Sequence, residues 1–264
     1  MRLRVLVLVL TLMALLAHRL HAEEVDLELL LLVDVSRSMS PAELGIQRRG
    51  YAEALRSDAV AAALGRSFTG RIALAYVEWA GEHRHRVVQD WTLIEGRADL
   101  DAVAAVLESN RTMTQSRTSI ASALRAGAFL IASNDFDGLR RVIDISGDGP
   151  NNQGGLVTAA RDEVLAEGIV INGLPLMTRD IAGAAWRLDD LDVYYTLCVI
   201  GGPGAFVVPV TDWRDFTGAV TRKLVLEIAG GPPERLIRVQ AGAAYDCEIG
   251  EKMWQRNRSF DDFR

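Results

Sequence analysis

Strongly apolar runs alternate along the chain with segments that carry apolar residues at helical spacing. Residues 27–35 form a mostly aliphatic run that ends in polar residues, a pattern typical of a strand buried on both faces of a parallel sheet. Further strands are predicted at 141–146 and 169–174, and a last one at 205–210. These strands predict a parallel sheet.

Apolar residues three or four positions apart predict helices between these strands. Ser40 is a suitable N-cap for a helix that begins with Pro41, and Glu43 lies at the third position of a capping box. Residues 157–167 are predicted to form a helix that Gly168 ends. The apolar stripes of three more helices are Leu100, Val103 and Leu107; Ile120, Leu124, Ala128 and Ile131; and Phe216, Val220, Leu224 and Ile228.

Two neighbouring segments, 71–79 and 86–94, alternate like strands, and the short link between them predicts an antiparallel hairpin. The order of elements predicts an α/β fold: a doubly wound, mostly parallel central sheet with one antiparallel edge strand and helices on both faces. Two glycines and two prolines at 230–233 mark the end of this domain, which we place at 23–231. Residues 232–264 are predicted to be a polar C-terminal tail without strong periodicity.

The first 22 residues have the pattern of a signal peptide. A basic start precedes an uncharged, mostly aliphatic stretch at 5–17, which is shorter than the roughly 20 residues that span a bilayer as a helix. We expect cleavage after Ala22, a mature N-terminus at Glu23, and a periplasmic or secreted protein with no stable membrane span. The alternative is a retained membrane anchor.

The charge balance narrows the classes of partner. The chain has 35 acidic and 29 basic residues, which argues against a nucleic-acid binder. Removal of the signal peptide would take three arginines and shift the formal net charge from −6 to −9, which disfavours anionic membranes as partners. Two cysteines are too few for a disulfide framework, and we expect Cys198 and Cys247 to form a single disulfide in an oxidising compartment.

Oxygen-bearing side chains lie at the predicted carboxyl ends of strands, where sites in such sheets occur. Asp34, Ser36 and Ser38 follow the first buried strand and, by alternation, point the same way. Asp148 follows a later strand, and Thr118 comes just before the helix that precedes that strand. Two carboxylates and three hydroxyls, without histidine or thiol, suit a hard cation such as Mg²⁺ or Mn²⁺.

The motif Asp34-x-Ser36-x-Ser38, together with a threonine before a helix and an Asp-Gly pair after a buried strand, resembles the metal-ion-dependent adhesion site (MIDAS) of von Willebrand factor type A domains. The order of elements from residue 25 to about 230 is similar to that domain. The segments 200–206 and 223–228 resemble an exported bacterial branch of the superfamily whose function is unknown.

The resemblance implies a binding module with no catalytic residues, in which a carboxylate from an acidic protein ligand completes the metal coordination. The metal ligands that it implies, direct or through water, are Asp34, Ser36, Ser38, Thr118 and Asp148. Two departures from the family pattern concern Gly147, where threonine is frequent, and the loop 110–119, which is commonly rich in glycine. Thr112 and Thr114 are therefore alternatives to Thr118.

Other interpretations of the same residues remain open. Asp34 and the two serines could form a turn and a helix cap, and Asp148 a loop turn between glycines. A Mg²⁺-dependent hydrolase or phosphotransferase could use Asp34 as a nucleophile, although position 36 lacks the second aspartate of that chemistry. Asp144 lies in mid-strand, and we predict that it is a paired structural carboxylate because an unpaired buried charge is costly.

Overall fold

A computed structural model describes residues 22–110, 114–178, 188–230 and 245–261. Apart from Ala22, the predicted signal peptide lies outside these ranges. The strands are β1 (Glu23–Val25), β2 (Leu27–Asp34), β3 (Ile72–Trp79), β4 (His85–Ile94), β5 (Phe136–Gly138), β6 (Arg141–Gly147) and β7 (Val170–Pro175).

The central sheet has the strand order β4-β3-β2-β6-β7. Strand β4 is antiparallel to β3, and the other pairs are parallel, which confirms the predicted mostly parallel sheet with one antiparallel edge strand. A separate parallel pair joins β1 to β5. The sequence pattern did not predict this pair, because strands of three residues are too short to show a period.

Helices are distributed over both faces of the sheet, as predicted. None of the described helices is both long and apolar enough to cross a bilayer. A π-helical turn (Tyr195–Val199) follows the short helix Leu191–Tyr194, and a 3₁₀ turn (Trp213–Asp215) precedes the helix Phe216–Ala229. The α-helices are α1 (Pro41–Leu55), α2 (Asp58–Leu64), α3 (Arg97–Ser109), α4 (Ile120–Ala132), α5 (Val157–Ala166), α6 (Leu191–Tyr194), α7 (Phe216–Ala229) and α8 (Ile249–Asp261).

Side-chain alternation along β2 divides the core into two layers. Leu29 and Leu31 pack with residues of α1, α2, α3 and α7, whereas Leu30 and Leu32 pack with residues of α4, α5 and α6. All eight residues of β2 are buried. Because both faces of this central strand are covered, successive positions must be apolar, which explains the aliphatic run in the sequence.

The prediction of a regular strand at 205–210 was wrong. This segment follows β7 but meets that region only through isolated bridges at Val207 and Val210. Backbone hydrogen bonds join the two segments at Gly173 and Pro175, but Pro175 has no amide hydrogen to donate, so the ladder between them is interrupted. The central sheet therefore ends at β7.

Within the segment predicted to be a polar tail, residues 249–261 form the helix α8. The predicted disulfide is confirmed: Cys198 and Cys247 are bonded, with their Cα atoms 5.6 Å apart. Cys198 lies in the π-helical turn, so the bond attaches the segment just before α8 to the body of the domain.

Asp144 of β6 is a paired structural carboxylate, as predicted. Its Oδ1 atom lies 3.1 Å from the Nζ atom of Lys223, which also donates a 2.7 Å hydrogen bond to Glu227. All three side chains are buried. Burial raises the pKa of Asp144 to about 7, and the nearby ammonium group opposes that rise.

Candidate metal centre

Three loops meet at the carboxyl edge of the sheet: the loop after β2, the loop before α4 and the loop after β6. The amide of Gln115 donates a 3.0 Å hydrogen bond to the carbonyl of Val35, which joins the first two loops. The amide of Asn152 donates a 2.9 Å hydrogen bond to the carbonyl of Thr118, which joins the second loop to the third. Backbone hydrogen bonds therefore hold all three loops in one place.

A chain of hydrogen bonds connects the predicted ligands of the first and third loops. The amide of Ser36 donates to Oδ1 of Asp34 at 2.7 Å, and the hydroxyls of Ser36 and Ser38 lie 2.8 Å apart. The hydroxyl of Ser38 donates to Oδ1 of Asp148 at 2.7 Å. Residues separated by 110 positions in the sequence thus share one small cluster of oxygen atoms.

Thr118 lies beside this cluster and borders the same pocket as Ser36, Ser38 and Asp148. Its amide donates a 3.1 Å hydrogen bond to the side-chain oxygen of Asn152, which fixes the loop just before α4. The alternative Thr114 is exposed and is not among the residues that line the pocket. Thr112 lies outside the described residues.

The cluster carries negative charge without a protein cation. Within the described part of the chain, no ion pair involves Asp34 or Asp148, and Oδ2 of Asp34 is buried without a hydrogen-bond partner. Burial, and then the proximity of Asp148, raise the pKa of Asp34 well above its ordinary value. Burial also raises the pKa of Asp148 to about 6, although the Ser38 hydroxyl opposes this.

These features fit a small divalent cation. The buried carboxylate of Asp34, which has an unused oxygen, and the half-buried carboxylate of Asp148 repel each other and lie beside hydroxyl oxygens of the kind that Mg²⁺ accepts. The described residues contain no cluster of three or more His, Cys, Asp or Glu side chains able to hold a metal. Any metal at this edge would therefore depend on the hydroxyls, and a softer ion that requires nitrogen or sulfur ligands is disfavoured.

Gly147 explains one departure from the family pattern. A Cβ atom at this position would lie 2.8 Å from the hydroxyl of Tyr195 and 2.9 Å from Oδ2 of Asp34, so the usual threonine does not fit. The Tyr195 hydroxyl is buried and has no hydrogen-bond partner among the described residues. A tyrosine hydroxyl thus occupies the space next to Asp34 that a threonine side chain would need.

Sequence reasoning missed the contribution of the C-terminal helix α8. A pocket of about 220 Å³ lies over the oxygen cluster, with the metal-site loops on one side and Gly250, Met253 and Trp254 of α8 on the other. The apolar residues Ile249, Met253 and Trp254, shortly after Cys247, were the available signal. The expected disulfide indicates that this segment is attached to the domain, but not which surface it covers.

The architecture and the three loops give this chain the fold of von Willebrand factor type A domains. Residues 24–232 match the family described as "Protein of unknown function (DUF1194)", and the chain belongs to that family. No curated protein matches the chain by sequence.

Solved structures with this fold include proximal thread matrix protein 1 from the mussel byssus, with a TM-score of 0.54 and 13% identity over 78% of this chain and 47% of that one. Another structure of that protein, with a TM-score of 0.54 and 12% identity over 78% and 48%, is described as having a zinc-occupied MIDAS motif.

The pilus adhesin SpaC from Lactobacillus rhamnosus GG gives a TM-score of 0.56 at 12% identity, over 77% of this chain and 30% of the adhesin. The von Willebrand factor type A protein from Catenulispora acidiphila gives 0.51 at 12% identity, over 77% and 43%. The chain thus spans less than half of each of these proteins. At such identities the likeness establishes the fold alone.

Proposed function

We propose that the protein is an exported binding module that recognises an acidic protein ligand through a bound Mg²⁺ ion. The observation that carries this proposal is the pair of Asp34, which is buried, and Asp148, which is half-buried, at a pocket lined by hydroxyls. No cationic side chain among the described residues forms an ion pair with either carboxylate. The zinc-occupied MIDAS motif of the mussel protein supports divalent metal binding in this fold. The basic and apolar N-terminal segment supports export.

The residues that would hold the metal are Asp34, Ser36, Ser38, Thr118 and Asp148. Bound Mg²⁺ supplies an exchangeable coordination position that a hard anionic oxygen can take. The hydrogen-bonded chain from Asp34 to Asp148 keeps the protein oxygens in place before a ligand arrives, so little reorganisation is needed on binding.

Charge around the pocket makes recognition depend on the metal. Glu43 lines the pocket with Asp148, and its charge contributes to the raised pKa of that aspartate. An acidic ligand would therefore be repelled from the floor of the pocket in the absence of a cation. Arg37 and Arg117, both exposed at the pocket, would attract the same ligand at the rim.

Hydrolysis with Asp34 as nucleophile is disfavoured by the position of that side chain. Asp34 has no exposed surface, its Oδ1 atom accepts the amide of Ser36, and it is not among the residues that line the pocket. A substrate in the pocket would reach Asp148 and the serine hydroxyls before it reached Asp34. We therefore propose that the protein is not an enzyme.

The test is metal-gated capture of an acidic partner from cell-envelope extract. Wild type should retain the partner in Mg²⁺ and release it in EDTA, and Ser36→Ala and Ser38→Ala should each retain markedly less. Ser109→Ala is the matched control, since Ser109 is exposed at the end of α3 and should bind normally. Equal capture in EDTA, or capture undiminished by the double serine variant, would contradict the proposal.

A parallel assay tests the alternative enzyme. Turnover of a model phosphate ester that requires Mg²⁺ and is abolished by Asp34→Asn would favour a hydrolase. We expect no such turnover at any metal concentration.

A further inference from the structure

The helix α8 is fastened to two of the metal-site loops. The side-chain amide of Asn151, three residues after Asp148, donates a 2.6 Å hydrogen bond to Glu251. The guanidinium of Arg117, next to Thr118, lies over the ring of Trp254 at 4.7 Å, a distance at which cation–π attraction is effective.

The start of α8 is held still more closely. A Cβ atom at Gly250 would lie 2.0 Å from the carbonyl oxygen of Asn151, so only glycine permits this approach of the helix to the loop after β6. Upstream, the disulfide to Cys198 and the contact between the rings of Tyr245 and Tyr194, with centroids 6.3 Å apart, fix the incoming chain. The helix is thus a built part of the site.

The pocket between α8 and the loops has two chemically distinct sides. Its floor carries the hydroxyls and the carboxylate of the metal site, and Met253, Trp254 and Leu176 supply apolar surface. Its volume is about 220 Å³. This is below the ~300–1,000 Å³ of pockets for drug-sized ligands, so the pocket suits a smaller group.

We infer that α8 is the outer wall of the binding pocket, and that the pocket admits a single carboxylate on a slender apolar body of about side-chain size. The carboxylate would lie at the metal site and the apolar body against Met253 and Trp254. This inference rests on the proposed function and narrows it to a ligand shape. A free organic acid and the C-terminal residue of a polypeptide both have this chemistry.

Small probes test the inference on the full chain in Mg²⁺. Hydrocinnamate carries a carboxylate on a phenylethyl group, acetate carries the carboxylate alone, and hydrocinnamyl alcohol has the apolar body without the charge. We expect hydrocinnamate to bind at least about tenfold more tightly than acetate, since even one methylene in an apolar pocket gives about this factor. The alcohol should not bind, and EDTA should abolish the binding of hydrocinnamate.

Variants of α8 distinguish the contribution of this helix to ligand affinity from the binding of Mg²⁺. Met253→Ala and Trp254→Ala should each lower the affinity for hydrocinnamate toward that for acetate and leave the Mg²⁺-induced rise in melting temperature unchanged. Gln255→Ala is the matched control, because Gln255 is exposed on the same helix and does not line the pocket. An undiminished preference for hydrocinnamate in the double Met253→Ala/Trp254→Ala variant would overturn the inference.

A short glycine peptide that ends in phenylalanine, and its C-terminal amide, distinguish the two sources. Binding of the free-acid peptide but not the amide would assign the pocket to polypeptide ends, and binding of hydrocinnamate alone would assign it to free acids. If Mg²⁺ raises the melting temperature but neither acid binds better than acetate, the inference fails and the metal site stands. If Mg²⁺ has no effect on melting, the proposed function itself fails.

Discussion

At the level of single residues, the two carboxylates of Asp34 and Asp148 determine the charge of the site. Asp34 and Asp148 are brought together by a fold that gives them hydroxyl and amide donors, and no ion pair with either is found in the part of the chain that the structure describes. The pKa of each is raised, chiefly by burial. In a metal-free protein near neutral pH, this pair therefore opposes folding, and a divalent cation would relieve that cost.

The sign of the pH effect follows from the pKa of Asp148, which is about 6 in the folded chain against an ordinary 3.8. A raised pKa means that the folded state binds the proton of Asp148 more tightly than the unfolded state does. The stability that this proton gives to the folded state is complete below about pH 4 and is lost as the pH rises through about 6. We expect metal-free Asp148→Asn to be more stable than wild type near pH 7.5, by on the order of 1–3 kcal/mol, and equal to it near pH 4.

Urea unfolding at both pH values, with and without Mg²⁺, measures this prediction. The same variant should lose the stabilisation that Mg²⁺ gives to wild type, because one of the two carboxylates is gone. Asp137→Asn is a suitable control: Asp137 is exposed in β5 and should change neither quantity. A metal response retained after loss of both Asp34 and Asp148 would place the cation elsewhere.

Gly147 supports a second prediction for single residues. Gly147→Ala should lower both stability and metal affinity, because its Cβ would lie within 3 Å of two polar oxygens in a packed region. Overpacking of this kind costs about 1–3 kcal/mol. Adding Tyr195→Phe, which removes one of those oxygens, should recover part of the loss. Thermal melts of the single and double variants decide the point, and an unaffected Gly147→Ala would show that the site relaxes easily.

At the scale of elements, strands with a clear period were predictable and elements held by distant contacts were not. The apolar residues of β2 and the capping box of α1, in which Ser40 and Glu43 exchange hydrogen bonds, are local signals. Helix α8 has few apolar residues, and its position depends on Cys247 reaching Cys198, 49 residues earlier. The two cysteines predicted the bond, but no local pattern indicates that the segment after it forms a helix beside the metal-site loops.

The disulfide between Cys198 and Cys247 is expected to hold helix α8 in place. Cys198→Ala with Cys247→Ala should destabilise the protein by up to about 4 kcal/mol, the chain-entropy value for a loop of this length. Hydrogen exchange should then rise in α8 before it rises in β2, since the body of the domain keeps its own core. Matched exchange in both elements would mean that the bond stabilises the whole domain rather than the position of the helix.

In the whole molecule, the metal site and the N-terminal strand β1 lie at opposite edges of the central sheet. The metal-site loops lie at the carboxyl edge, and β1 lies at the opposite edge, beside the start of β2. Eight residues of strand at ~3.3 Å each place these edges roughly 26 Å apart. The start of β1 at Glu23 is therefore far from the pocket.

We expect the N-terminus of the exported protein to be Glu23. Cleavage after Ala22 would remove none of the described elements, because β1 begins at Glu23, whose amide donates a 2.8 Å hydrogen bond to the carbonyl of Asp135. We expect intact-mass analysis of the exported protein to give a chain that starts at Glu23. Ala22→Arg should block processing, because the cleavage site requires a small residue there, and His21→Ala should be processed normally. A mature chain that keeps residues 1–22, or a cut within β1, would contradict the prediction.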